Sequence, residues 1–271
     1  MFWKRVISAI ILIPVVIFLV WWGGYPYSAL IILVTALMLI EFWGLSQSIG
    51  GRGGRIFTVA CGVLFCLSAV DLIGSKIPVE LALALTLLLP FSYQIFRDKI
   101  DVAFLSVAST LLGVIYIGWA FGYHLILLRG ISDAGRGLIF FLLVTVWLGD
   151  TAAYLFGKRF GRHKLRPTIS PGKTIEGTIA GIVFGTLGGF GVWSFFLQDI
   201  LSFSHALILG VLLGAVSQLS DLSESVIKRS ANVKDSGDLI PGHGGLLDRC
   251  DSLIFSAPAL YYYFVYLVNL T

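Results

Sequence analysis

Nine apolar runs of roughly twenty residues, set apart by short polar breaks, constrain this chain more than any other feature. They cover about residues 6–22, 27–49, 56–74, 78–96, 102–128, 137–157, 175–197, 204–227 and 251–270. A helix needs about 20 mostly apolar residues to cross the hydrocarbon core of a bilayer. Only 13% of the residues are charged and 57% are hydrophobic, whereas a soluble domain carries about 25% charged residues. A water-soluble core of 271 residues cannot hide that much apolar surface. The expected fold is therefore all-α: a polytopic integral-membrane helical bundle of about nine transmembrane helices, forming a single domain over residues 1–271. The first run resembles a signal peptide, but no small-residue cleavage site follows it and further hydrophobic segments do, so it reads as a retained crossing. The fifth run is long and holds Gly118 and Gly122, which predicts a tilt, kink or break.

Charge parity orients the bundle. With nine crossings, the N-terminus and four loops share one side and carry 16 of the 19 Lys and Arg residues. Only Lys76, Arg129 and Arg136 fall on the other side. The positive-inside rule assigns the basic side to the cytoplasm. Two long basic loops, 158–174 and 228–250, lie there, and the first half has no counterpart. Residues 1–135 therefore read as mainly helical scaffold and 136–271 as the catalytic half. Cys61, Cys66 and Cys250 are too few and too poorly spaced for a disulfide framework or a zinc site.

Charge is scarce except between Ser225 and Asp251. That stretch packs Lys228, Arg229, Lys234, His243 and Arg249 beside Asp235, Asp238, Asp248 and Asp251. Both signs gathered between two apolar runs point to a phosphate-bearing ligand and a divalent cation at a membrane surface. Ionisable residues within spans cost about 2.5–3.5 kcal/mol each on insertion scales, which makes them functional suspects. Ser217, Asp221, Glu224, Ser225 and Lys228 recur at helical spacing and form one polar stripe that leads into the charged loop. Asp248 and Asp251 are three apart at the start of the ninth run. Close carboxylates repel, and Mg²⁺ relieves that; for Asp251 the alternative is the ordinary acidic preference of a helix start. Asp150 stands near the inner end of the sixth run, either functional or bonded to a neighbouring helix. Glu41 and Asp71 have no nearby partner in sequence and read as structural.

The loop 158–174 carries six Lys or Arg and no acid. Ser170 before Pro171 predicts an N-cap followed by Pro at the first helical position. Lys173 and bare N–H groups then stand at a helix start suited to anions. A Walker A loop is excluded, because Pro167 occupies the place of its first Gly. In the second loop, Gly244 and Gly245 allow a backbone to approach a ligand closely. His243 could serve as metal ligand, base or phosphate donor; hydrogen bonding to phosphate is preferred, since no second His supports zinc. The spacing Gly177, Gly181, Gly185 and Gly210, Gly214 permits close helix packing, within the chain or across a dimer.

These residues resemble the phosphatidate cytidylyltransferases, or CDP-diacylglycerol synthases. The family signature, Ser-x-apolar-Lys-Arg-x4-Lys-Asp through Pro-x-His-Gly-Gly-apolar-x-Asp-Arg-apolar-Asp, runs here from Ser225 to Asp251 with spacing intact; Cys250 takes a position usually held by a larger apolar residue or Thr. Gly149-Asp-Thr-Ala-Ala-Tyr154 and Ile169-Ser-Pro-Gly-Lys-Thr-Ile-Glu-Gly177 also resemble family motifs. The resemblance is specific over 148–177 and 217–251 and loose before about residue 135. It implies transfer of CMP from CTP to phosphatidate, giving CDP-diacylglycerol and pyrophosphate in phospholipid biosynthesis. It also implies Mg²⁺, alone or with a second cation, a homodimer, and no nucleic-acid partner. The setting expected is multi-pass in a bacterial inner membrane with a cytoplasmic-facing active site.

On that resemblance a phosphatidate oxygen attacks the α-phosphorus of CTP. Positioning and charge stabilisation are then the main tasks, because two anions must meet. Asp221 and Asp248 are the first candidates for metal, with Asp251 and Glu224 behind them. Lys173, Lys228, Arg229, Lys234 and Arg249, with Ser170, His243, Gly244 and Gly245, are the candidates for holding phosphate. Asp150 orients a lysine or joins the metal. The competing readings are a CTP-dependent polyprenol kinase, a CDP-alcohol phosphotransferase lacking its Asp-Gly-x2-Ala-Arg core, and a transporter.

Overall fold

A computed structural model of the chain describes residues 2–71, 74, 76–97, 100–238 and 244–268, with side chains from Leu12 onward. His243, expected on phosphate, lies outside the described residues. Each expected apolar run is helical over most of its described residues, although the run 56–74 ends its helix at Ala69. The helices are α1 (Phe2–Trp22), α2 (Gly24–Ser48), α3 (Arg55–Ala69), α4 (Val79–Ile95), α5 (Ala103–Gly113), α6 (His124–Gly130), α7 (Gly135–Phe160), α8 (Ile175–Phe196), α9 (Phe203–Ser230) and α10 (Leu247–Tyr263). Six helical stretches among the described residues are long and apolar enough to cross a membrane; Leu12–Trp22, α3 and α4 are shorter apolar helices. The protein is thus an all-α, polytopic membrane protein.

The fifth run is neither broken nor regular. Residues 100–130 stay helical, but Val114–Tyr123 winds as a wide π-type turn between α5 and α6. Gly118 explains the close approach there, since a Cβ at 118 would stand 2.6 Å from the Gly62 Cα on α3. Widened turns of this kind mark places where a helix absorbs an irregular register.

The chain forms two compact units, Met1–Leu127 with Ile227–Cys250, and Leu128–Val226 with Asp251–Thr271. The first unit is cored by Met38, Leu39, Phe65, Ile117 and Phe121, all essentially inaccessible. Cys61 and Cys66 are buried free thiols there, as their apolar setting predicts. The end of α9 also belongs to this unit. Asn232 takes a positive φ of 55°, and the Val233 N–H returns to the Lys228 carbonyl at 3.0 Å. That is a Schellman-type stop, with Asn in the left-handed position usually given to Gly.

The second unit is organised by glycine seams. Without a hydrophobic force between helices in lipid, close van der Waals approach between small residues drives association. A Cβ at Gly181 would lie 3.0 Å from the Gly149 carbonyl oxygen of α7, and one at Gly185 2.7 Å from that of Thr145. On the other side, Gly214 of α9 meets the Ile182 Cα at 2.9 Å by the same measure. The small-residue stripes left open by sequence therefore serve packing within the chain.

Ser170 and Pro171 do not behave as their sequence predicts. Ser170 is not an N-cap, and Pro171 does not open a helix. Ser170–Thr174 is a strand, β2, paired antiparallel with β1 (Lys164–Arg166), with Lys164 opposite Thr174 and Arg166 opposite Ser170. Thr174 caps α8 instead, its hydroxyl accepting the Gly177 N–H at 3.2 Å. Proline's fixed φ suits extended backbone as well as a helix start, and Thr-x-x-Gly supplies an equally good cap four residues on.

Candidate functional site

In the second unit, the basic hairpin delivers one ammonium to a pair of carboxylates. The hairpin is clamped at its base by Glu176 in the first turn of α8. That carboxylate accepts the backbone N–H groups of Arg162 at 3.1 Å and His163 at 3.2 Å, and meets the His163 Nδ1 at 2.6 Å. Lys173, next to the end of β2, is thereby aimed inward. Its Nζ lies 2.9 Å from Asp221 Oδ2 and 3.4 Å from the Gln218 carbonyl oxygen, both on α9. Gln218 links Asp150 on α7 to this pair. Gln218 Nε2 donates to Asp150 Oδ1 at 3.2 Å, and Ser252 Oγ to Oδ2 at 3.1 Å. Asp150 is therefore held on both oxygens by neutral donors.

The same unit fixes the neighbouring turn of α10. Ser220 Oγ donates to the Asp251 carbonyl oxygen and accepts the Phe255 N–H. The Asp251 carboxylate accepts its neighbour's N–H, that of Ser252, at 2.7 Å. On α9, Ser217 and Glu224 are buried and Asp221 is partly exposed. The polar stripe read from sequence does face inward.

The first unit holds a cluster of its own. Lys228 Nζ meets Asp248 Oδ1 at 2.5 Å, with side chains only 12% and 9% exposed. Asp248 Oδ2 accepts the Ser236 N–H at 2.9 Å, the Ser236 hydroxyl at 2.9 Å and the Gly245 N–H at 2.8 Å. Gly244 takes a φ of +78°, which a side chain would strain. Gly245 has no room for a Cβ, which would sit 2.7 Å from Glu41 Oε2. Arg229 Nη1 donates to the Val233 carbonyl at 3.0 Å, and Lys234 and Arg249 are exposed.

Among the described residues no three His, Cys, Asp or Glu side chains form a ready metal cage. Asp221 and Asp150 supply two neighbouring carboxylates against one ammonium, an acidic excess suited to a divalent cation.

Residues 3–267 match the cytidylyltransferase family. The chain belongs to that family. A phosphatidate cytidylyltransferase of Synechocystis sp. is 35% identical, over 98% of this chain and 97% of its own. One from Bacillus subtilis is 34% identical over 96% of each chain, and one from Staphylococcus haemolyticus 34% over 94% of this chain and 96% of its own.

Against that cytidylyltransferase background, sequence reasoning located the charged residues and missed the neutral ones that hold them. Asp150, Lys173 and Asp221 come together in the second unit, and Lys228 and Asp248 in the first. Gln218, Ser252, Ser220 and Ser236 carried no charge to betray them. Gln218 could have been found as the residue three before Asp221, on the same helical face. Glu41, read as structural for want of a sequence neighbour, bonds groups 195 to 206 residues away.

Proposed function

We propose that this member of the cytidylyltransferase family transfers CMP from CTP to phosphatidate, giving CDP-diacylglycerol and pyrophosphate. The observation that carries the reading is the Lys173–Asp221–Asp150 cluster, placed on the family motifs by the hairpin and by α7 and α9. Near-full-length similarity to relatives named phosphatidate cytidylyltransferase supports the choice of substrates.

A phosphate monoester is already largely anionic near neutral pH, so the attacking oxygen needs little help from a base. The obstacle is repulsion between two anions. Lys173 offsets it by holding a phosphate oxygen, and the fixed hairpin spares the cost of ordering that side chain during the reaction. Asp221 and Asp150 are the carboxylates proposed for Mg²⁺, with Glu224, Asp248 and Asp251 kept as further candidates from the motif. When bound, the cation polarises phosphate oxygens and shields their charge. Gln218 and Ser252 keep Asp150 oriented. Lys228, Arg229, Lys234 and Arg249 are proposed phosphate contacts of the signature stretch, as are Ser170, His243, Gly244 and Gly245. Cytoplasmic access for CTP follows from the basic loops, and a homodimer from the family resemblance; no nucleic acid is involved.

The test uses the full chain purified in detergent. With CTP, phosphatidate and Mg²⁺ it should release pyrophosphate and form the liponucleotide, and excess chelator should stop it. Transfer to a polyprenol instead, or turnover undiminished by chelation, overturns the reading.

A further inference from the structure

Glu41, 6% exposed, is the one charged residue of α2, a mainly apolar helix. An ionisable group inside such a helix is costly unless it is compensated. Here the compensation is specific. Oε1 accepts the Leu246 N–H at 2.9 Å, and Oε2 accepts the Leu247 N–H at 2.8 Å and the Ser236 hydroxyl at 3.3 Å. Leu246 immediately precedes α10 and Leu247 opens it, so neither N–H group has a partner within the helix. A carboxylate there is favoured by the helix dipole as well. The approach is close enough that a Cβ at Gly237 would come within 3.0 Å of Oε1.

The groups that Glu41 holds are those that hold Asp248. Ser236 gives its N–H and hydroxyl to Asp248 Oδ2, and Asp248 is itself the residue after Leu247. Ser236 has one hydroxyl proton for two carboxylates. The contact to Asp248, at 2.9 Å, is shorter than that to Glu41, at 3.3 Å. Glu41 therefore sits behind the Asp248–Lys228 pair and fixes two of its supports at once.

We propose that Glu41 is a positioning residue for the transfer reaction: its carboxylate pins Ser236 and the first turn of α10, and through them sets the Asp248–Lys228 pair. It does not itself touch substrate. The catalytic part of this inference rests on the cytidylyltransferase reading, whereas the clamp does not.

The experiment compares wild type with Glu41→Ala, Glu41→Gln and Ser236→Ala in full-length protein. In Glu41→Ala, hydrogen exchange at the Leu246 and Leu247 amides should quicken on the order of tenfold or more, while that of α7 and α8 stays put. Its kcat should fall roughly tenfold to a hundredfold with the phosphatidate KM little changed. Glu41→Gln keeps one acceptor oxygen and should fall between. Because Glu41 and Ser236 act on the same carboxylate, their losses should combine to less than the product of the two. A purely structural role would lower the active fraction and melting temperature and leave the two losses independent. If Glu41→Ala does not fold, Glu41→Gln carries the comparison. Wild-type exchange at Leu246 and Leu247, or wild-type kcat in Glu41→Gln and Glu41→Ala, overturns the proposal. If wild type itself makes no liponucleotide, the functional reading fails, and exchange still decides the clamp.

Discussion

Lys173 Nζ lies 2.9 Å from Asp221 Oδ2, with the two side chains 17% and 28% exposed. The pair is partly buried, accessible enough to exchange partners with a ligand, and its loss should cost less than that of a fully buried pair. Its value lies in what each member does when a phosphate arrives. Lys173→Met and Asp221→Asn should therefore each cut turnover by roughly a hundredfold or more, the scale of losing one preorganised charge-stabilising group. Melting temperatures in detergent should stay within a few degrees of wild type. Activity retained within a few-fold in either variant would remove this pair from the reacting site.

The second lysine pair behaves differently. Lys228 and Asp248 are 12% and 9% exposed, and Asp248 also anchors Ser236 and Gly245. Removing one partner of a buried pair strands the other, at a cost of about 3–5 kcal/mol. Lys228→Met should thus lower the melting temperature clearly where Lys173→Met does not. Denaturation of the two variants side by side checks the contrast. Equal melting of both would mean that Asp248 finds its compensation elsewhere.

Asp150 is held by two neutral donors, Gln218 Nε2 at 3.2 Å and Ser252 Oγ at 3.1 Å. Ser252→Ala leaves the carboxylate in place and frees one oxygen to rotate. A misoriented group typically costs more than the bond that held it. The expected result is roughly a tenfold fall in kcat, at the low end for loss of a site hydrogen bond. Added to Asp150→Asn, the same substitution should do far less, since both act through one carboxylate. Steady-state rates for the single and double variants decide this.

How far the sequence could be read follows from the physics of each element. The helices were legible because lipid demands continuous apolar runs with every backbone group bonded internally. Asp150, Asp221 and Asp248 were legible because a charge in an apolar run is costly and must be explained. The hairpin at Lys164–Thr174 was not, because Ser170-Pro171 suits a helix start and a strand alike. Glu41 was visible as an anomaly, but its partners lie some two hundred residues away. Gln218 and Ser252 were invisible, since neutral polar side chains on a helix give no signal until a carboxylate is seen beside them.

The glycine seams should show in stability rather than in chemistry. A Cβ at Gly185 would stand 2.7 Å from the Thr145 carbonyl oxygen on α7, a backbone atom that cannot swing aside. One at Gly191, on the same helix, would meet nothing within 4 Å. Overpacking a tight contact costs typically about 1–3 kcal/mol, whereas replacing an unhindered helical Gly by Ala gains up to about 1 kcal/mol. Gly185→Ala should therefore melt several degrees below wild type, and Gly191→Ala at or slightly above it. Their turnover per folded molecule should stay close to wild type, because neither touches Asp150, Lys173 or Asp221. Reversal of the melting order would show that α7 and α8 are not locked at this seam.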